Sequence, residues 1–157
     1  MVQNVRNFRK SLRAGFNSLL LNPLVTSSVD RFAPARSLGV RGERAAERYL
    51  LRQGLVIVGR SYSDAIGEID LIAVDDQTIV FVEVKTRSSD VAGLPAEAVD
   101  EYKQERITRM AVSYLKRHDL LDCKVRFDVI AINWPADSAK PAIAHFENAF
   151  EAAGNNW

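Results

Sequence analysis

The sequence predicts an α/β domain with a mixed central β-sheet and helices packed on it. Three observations carry this. Strand-like and helix-like stretches alternate in the order α-β-β-β-α-β-(β). Two neighbouring stretches, 66–74 and 79–87, are short apolar runs of strand character. A long helix-like stretch at 96–118 separates the third strand from the fourth.

The first helix is read at 41–53, where Ala45, Ala46, Tyr49 and Leu50 form one stripe and Gly54 supplies the stop. Leu55 to Arg60 has strand character, and Gly59 to Asp64 reads as a turn. Residues 66–74 (Ile-Gly-Glu-Ile-Asp-Leu-Ile-Ala-Val) and 79–87 (Ile-Val-Phe-Val-Glu-Val-Lys-Thr-Arg) form the next two strands, with Asp75, Asp76, Gln77 and Thr78 as the turn between them. Residues 88–95 read as a polar loop. A helix is expected over 96–118 with Tyr102, Ile107, Met110, Ala111, Tyr114 and Leu115 inward. Lys124 to Ile132 is a fourth strand, and Ala142 to Phe146 a short last one.

The chain divides into an N-terminal extension at 1–37, a globular domain at 38–150 and a tail at 151–157. The extension holds six Lys/Arg and one acid, a charge of +5, whereas the remainder carries −4. The globular part is therefore not a basic platform in bulk, and contact with a polyanion needs a local patch, bound cations or the arm. Val5, Phe8, Leu12, Phe16, Leu19 and Leu20 recur at helical spacing before the break at Asn22-Pro23. The segment reads first as a poorly ordered extension and second as an arm touching DNA or a membrane. A signal peptide fits badly, because Asn17 and Asn22 interrupt its apolar stretch. An acid-poor, arginine-rich start also suits an organelle transit peptide, which ranks lower still.

One cysteine, Cys123, excludes an intrachain disulfide framework, and two distant histidines, His118 and His145, argue against a histidine-rich zinc site. Cys123 beside His118 is read as core filler rather than a thiol nucleophile. Trp134 and Trp157 are read as capping or free rings rather than base-stacking surfaces. No apolar run approaches the roughly 18 residues of a membrane span. There is neither a Gly-x-Ser-x-Gly elbow nor a phosphate-binding Gly-Lys-Ser/Thr loop.

The chemistry lies in the two acid-bearing strands. Asp70, Glu83 and Lys85 interrupt aliphatic runs, where a carboxylate is costly unless paired or holding a metal. Side chains alternate along a strand, so a two- or four-residue loop would set Asp70 opposite Glu83, whereas a three-residue loop would set them on opposite faces. An isolated Glu-x-Lys is an ordinary ion pair. Asp70 followed thirteen positions on by Glu-x-Lys is instead the pattern of a metal-dependent phosphodiesterase. Mg²⁺ (or Mn²⁺) prefers oxygen ligands and keeps several waters. Asp70 and Glu83 can hold it with the Val84 carbonyl, the metal can polarise a phosphate and acidify a water, and Lys85 can orient that water and stabilise developing charge.

Gly42-Glu43-x-x-Ala46-x-x-Tyr49-Leu50, Gly67-Glu68-Ile69-Asp70-Leu71-Ile72, Phe81-Val82-Glu83-Val84-Lys85, Lys103-Gln104, Arg126-Phe127-Asp128-Val129 and Asn148-Ala149-Phe150 together resemble the bacterial YraN-like family. Its members are uncharacterised predicted endonucleases similar to archaeal Holliday-junction resolvases of the PD-(D/E)xK superfamily. The resemblance spans about residues 38–150. It implies a restriction-endonuclease-like fold and Mg²⁺- or Mn²⁺-dependent DNA cleavage, selective for branched or damaged DNA. The rival reading is a catalytically silent nucleic-acid-binding or interaction module on the same fold. By position, Asp70, Glu83 and Lys85 match the superfamily's metal-binding and catalytic residues. A helix glutamate usually completes the set, and Glu43 is preferred over Glu47. Glu68 is either a supporting acid or a surface acid, and Gln104 either a supporting amide or a solvated one. The superfamily's proline before the first acid is replaced by Ile69. The partners implied are DNA and a second copy of the chain in a homodimer, with no membrane, in the cytoplasm.

Overall fold

The computed structural model describes residues 37–88, 99–135 and 139–153. All of the extension expected at 1–37 except Ser37, most of the loop expected at 88–95, the start of the helix expected at 96 and Trp157 lie outside the described residues. The described elements run α1 (Leu38–Arg52), β1 (Val56–Ser63), β2 (Glu68–Asp75), β3 (Thr78–Arg87), α2 (Glu101–Arg117), β4 (Lys124–Asn133) and β5 (Ala142–Phe146). The five strands form one mixed sheet in the order β1-β2-β3-β4-β5, with β3 and β4 parallel and the other pairs antiparallel. The expected α/β class and mixed sheet flanked by helices are found, and the arrangement is consistent with a restriction-endonuclease-like fold.

α1 begins three residues earlier than its apolar stripe suggests, because the Ser37 side chain caps it by accepting the Val40 N–H. Its end follows the sequence signal. Gly54 takes φ +92°, its N–H donates to the Leu51 carbonyl, and the Leu55 N–H donates to Leu50. This pair of bonds is a Schellman motif. α2 begins at Glu101, capped by Asp100 through the Lys103 N–H at 2.8 Å. Tyr102 therefore stands in the first turn and is 75% exposed, not inward as expected.

The turn expected over Asp75 to Thr78 is found, narrowed to residues 76–77 because Asp75 and Thr78 pair within the strands, with Asp76 at φ 52°. The supposed turn at 59–64 does not exist. β1 continues to Ser63, and Gly59 marks a β-bulge where the register against β2 slips by one residue. The reversal comes at 64–67, where the Ile66 N–H donates to Asp64 Oδ1 and the Asp64 N–H to the Gly67 carbonyl.

The core has two layers. On one face, Ile72, Ile79, Phe81 and Phe127 pack with Ile107, Met110, Tyr114 and Leu115 of α2. On the other, Leu71, Val80, Val82 and Ile130 pack with Ala45, Ala46 and Leu50 of α1. β3 is central and buried on both faces through Glu83, which explains its unbroken apolar run. The C-terminal segment returns onto this body. The Ala149 N–H donates to the Phe127 carbonyl, Phe150 stacks on Phe127 at 5.0 Å, and the Ala153 N–H donates to Thr108 Oγ1.

A candidate metal-binding carboxylate and lysine site

The site forms where β2 and β3 part. Their ladder pairs Asp75 with Thr78 and ends at Leu71 opposite Val82. Continuing this register sets Asp70 opposite Glu83, the arrangement that the two-residue turn predicts. No backbone pair forms there. Instead, Asp70 Oδ2 accepts the Val84 N–H at 2.7 Å.

Strict side-chain alternation also fails at this point. Ile69 and Ile72, three positions apart, both reach the α2-side core. Across the ladder, Arg60 meets Glu47 of α1, while Tyr62 meets Tyr114 of α2, with Ser61 between them at φ 43°. Asp70 is thereby placed within electrostatic reach of both helices. Burial, then Glu83, then Glu43 push its carboxyl up to about 6, against the lowering effect of the Val84 N–H and Lys103.

Glu83 is only 6% exposed and carries two ammonium partners. Lys85 Nζ stands 3.1 Å from its Oε1, and Lys103 Nζ donates to the same oxygen. Burial depresses the Lys103 ammonium, and the neighbouring Lys85 adds to this, so its pKa falls below the ordinary lysine value despite Glu83. Burial works against the Lys85 charge as well. The Lys103 amine, Glu83 and Asp70 outweigh it and hold Lys85 above its ordinary value.

The two helix glutamates separate cleanly. Burial and then the Glu68 carboxylate raise the Glu43 carboxyl, and Glu43 in turn raises Asp70, so Glu43 faces the site. Glu47 is engaged by β1 and accepts from Arg60 Nε at 3.1 Å. The placement of Glu43 depends on Gly42, which is buried against β3. A Cβ there would stand 1.7 Å from Thr86 Oγ1. Glu68 is exposed beside Glu43. Gln104 donates from Nε2 to the Val99 carbonyl at 2.8 Å, which ties the segment before α2 to the helix. Lys103 is the residue whose part the sequence pattern left unassigned. The signal was available: Lys103 shares the apolar stripe of α2 with Ile107, Met110 and Tyr114, and a charge on such a stripe needs a partner.

Among the described residues no three Asp, Glu, His or Cys side chains gather into a ready-made metal cage. Two carboxylates on adjacent strands still suit one kind of ion. Mg²⁺ is commonly held by one or two carboxylates, with waters and substrate phosphate completing the shell. Burial first, and then Glu83 and Glu43, disfavour the ionised Asp70 carboxyl, and a divalent cation beside it would favour that charged form.

Other motif residues lie elsewhere. Asp128 is fully buried and accepts from Arg126 Nε and Nη2 at 2.9 and 3.0 Å, from the Asn148 N–H at 2.9 Å, and contacts His145 Nε2 at 2.8 Å. The Arg-Phe-Asp-Val and Asn-Ala-Phe stretches thus hold the C-terminal segment to β4. Cys123 packs partly buried against the α2-side core, and burial pushes its thiol up. Trp134 lies under the Arg41 guanidinium at 4.0 Å. No helix among the described residues is long and apolar enough to cross a membrane.

Residues 42–132 match the profile of the uncharacterised protein family UPF0102, the YraN-like group that the motifs resemble. Among similar proteins, the UPF0102 protein RB9115 of Rhodopirellula baltica is 53% identical over 74% of this chain and 72% of its own length. A UPF0102 protein of Geotalea uraniireducens is 45% identical over 80% of this chain and 98% of its own. The UPF0102 protein GSU0650 of Geobacter sulfurreducens is 47% identical over 74% and 90%.

Proposed function

We propose that this chain, which belongs to the uncharacterised family UPF0102, is a metal-dependent endonuclease that hydrolyses DNA phosphodiester bonds, with branched or damaged DNA as its preferred substrate. The observation that carries the reading is the junction of Asp70, Glu83 and Lys85 where β2 and β3 part, with Glu43 brought in from α1. Asp70 and Glu83, with the Val84 carbonyl, would hold Mg²⁺ or Mn²⁺. When bound, the ion would polarise the phosphate and acidify a water. The protein's own part is to orient that water and stabilise charge on the phosphate, which falls to Lys85, and to fix Asp70 in place through the Val84 N–H. Glu43 adds an acceptor on the open side, and Glu68 and Gln104 support the walls. The reading places the protein in the cytoplasm with DNA as its partner.

One observation favours a second reading, a catalytically silent nucleic-acid-binding module. Glu83 already has two ammonium partners, so the site is partly neutralised without a metal. A cleavage assay separates the two. Duplex, flap, single-stranded and four-way DNA are incubated with Mg²⁺, Mn²⁺ or EDTA. The nuclease reading requires metal-dependent nicking that EDTA and Glu83→Gln abolish. DNA binding without cleavage of any substrate would leave the silent module.

A further inference from the structure

A recess of about 220 Å³ opens beside this site, lined by Ala65, Ile66, Tyr102, Glu105, Arg106 and Arg109. One wall is the 64–67 turn, which leads directly into Glu68 and Asp70. The other is the start of α2, where Tyr102 immediately precedes Lys103, the partner of Glu83. Tyr102, Arg106 and Arg109 stand at i, i+4 and i+7, so they share one helix face.

Three features of the recess point to an anionic ligand. Arg106 Nε is buried and meets no acceptor among the described residues. A buried N–H without a partner is costly, and more so on a charged group. Arg109 and Tyr102 are exposed, the ring at 75%, although nothing in the core requires an aromatic there. Gly67 leaves room for the arginine. A Cβ at Gly67 would lie 3.1 Å from Arg106 Cδ and 3.2 Å from Nε, so a side chain there would press on the guanidinium stem. The Gly-Glu-Ile-Asp stretch therefore joins two tasks, with its acid at the carboxylate site and its glycine beside Arg106.

We propose that this recess binds a backbone phosphate of the DNA strand engaged at Asp70 and Glu83, with Arg106 and Arg109 as phosphate donors and Tyr102 as a stacking surface for the adjoining sugar or base. The inference rests on the nuclease reading for the identity of the strand. The guanidinium fork matches phosphate geometry, and an exposed ring is a sequence-tolerant platform for a base. Glu105 is the opposing feature, because its carboxylate on the rim repels the same phosphate.

The test uses the full chain and fluorescence anisotropy with labelled single-stranded and duplex DNA in EDTA, over a salt series. Arg109→Ala, Tyr102→Ala and Glu105→Gln alter exposed side chains, and Arg106→Lys keeps charge but loses the fork. Melting temperatures check folding. Arg109→Ala and Arg106→Lys should each weaken binding roughly tenfold, the size of one charge-assisted hydrogen bond. Arg109→Ala should also flatten the salt slope by about one. Tyr102→Ala should weaken binding without changing that slope, and Glu105→Gln should tighten it. Parent-like affinity and slope in all four variants, or no binding by the parent, overturns the proposal. A parent that binds through the recess but cuts no substrate removes the nuclease reading and leaves the recess standing. A parent that cuts while the recess variants bind unchanged does the reverse.

Discussion

Asp70 Oδ2 accepts the backbone N–H of Val84 at 2.7 Å, one step beyond the last ladder pair of the β2–β3 hairpin. A side chain thus replaces the missing backbone acceptor where the strands part, and the same bond aims the carboxylate. Asp70→Asn keeps an oxygen for this N–H, whereas Asp70→Ala strands it. The alanine variant should be less stable than the asparagine variant by about 1–3 kcal/mol. Mg²⁺ at millimolar concentration should raise the parent's melting temperature by mass action and leave both variants unmoved. Differential scanning fluorimetry with and without metal reads both effects.

The same carboxyl sets a pH dependence in metal-free protein. Its folded pKa of about 6 lies above the ordinary value of 3.8. The folded state therefore binds this proton more tightly than the unfolded chain, and ionisation opposes folding. The Asp70 contribution should destabilise the protein as pH rises from about 4 through 6, reaching its full extent above 7. Asp70→Asn should remove that slope, so the variant should gain on the parent between pH 5 and 8 in metal-free buffer. A parallel pair of stability curves would show that Asp70 is not strained.

Lys85 and Lys103 share one Glu83 oxygen, and removing each should have different consequences. Lys103 competes with a cation for Glu83, so Lys103→Met should tighten Mg²⁺ binding. Lys85→Ala should also leave metal bound, but single-turnover cleavage should fall by about 10²–10⁴-fold, the usual loss for a proton-handling or charge-stabilising group. Glu83→Gln should lose both metal affinity and cleavage. Calorimetry beside single-turnover kinetics distinguishes the three. Cleavage by Lys85→Ala at the parent rate would make that lysine a strand-edge ion pair.

What was legible in the sequence is mostly local. The acid spacing allows Asp70 to face Glu83 under a two- or four-residue loop, the structure supplies the two-residue one, and Gly54 marks the end of α1. Gly59 misleads, because glycine serves bulges as readily as turns and only the partner strand decides between them. Tyr102 was misread because the helix begins at the Asp100 cap rather than at 96, which changes what its first turn packs against. Glu43 and Glu47 share a nominal helix face but lie four residues, about 6 Å, apart along the axis. That distance takes one to the carboxylates and the other to Arg60. The Lys103–Glu83 pair spans twenty residues and is visible only once α2 lies on the sheet.

The Asp128 cluster sets the acid limit of the fold. Burial opposes its charge, but His145, Arg126 and the Asn148 N–H hold the Asp128 carboxyl below its ordinary value. Its stabilisation is complete above the ordinary value of 3.8 and is lost as pH falls through the lower folded value. Asp128→Asn takes the charged acceptor from half-buried Arg126, which keeps Asp75 and Glu147, and from His145, and should cost about 1–3 kcal/mol at neutral pH. The variant should also lose the stability that the parent sheds below pH 4. Urea denaturation at pH 7 and acid titration by circular dichroism report both. The Asp70 and Asp128 effects fall in separate pH windows, so one titration resolves them.

Gly42 links packing to chemistry. A Cβ there would meet Thr86 Oγ1 at 1.7 Å, Cβ at 2.8 Å and Cγ2 at 3.0 Å, far inside contact distance. Thr86 belongs to the central strand, so α1 must yield rather than β3. Gly42→Ala should cost about 1–3 kcal/mol, as overpacking does. It should also shift Glu43 away from Asp70 and lower cleavage more than the stability loss alone explains at a temperature where the variant is folded. Thr86→Ala leaves the Cβ clash and should not rescue the variant. Thr86→Gly removes all three clashing atoms and should restore cleavage, though about 0.5–1 kcal/mol of stability stays lost to the strand glycine. Glu47→Gln is the control on the same helix. It loses only an ion pair with exposed Arg60, about 0–1 kcal/mol, and should cut at the parent rate. If Gly42→Ala and Glu43→Gln both cut normally, Glu43 has no part in the site, and the glycine serves packing alone.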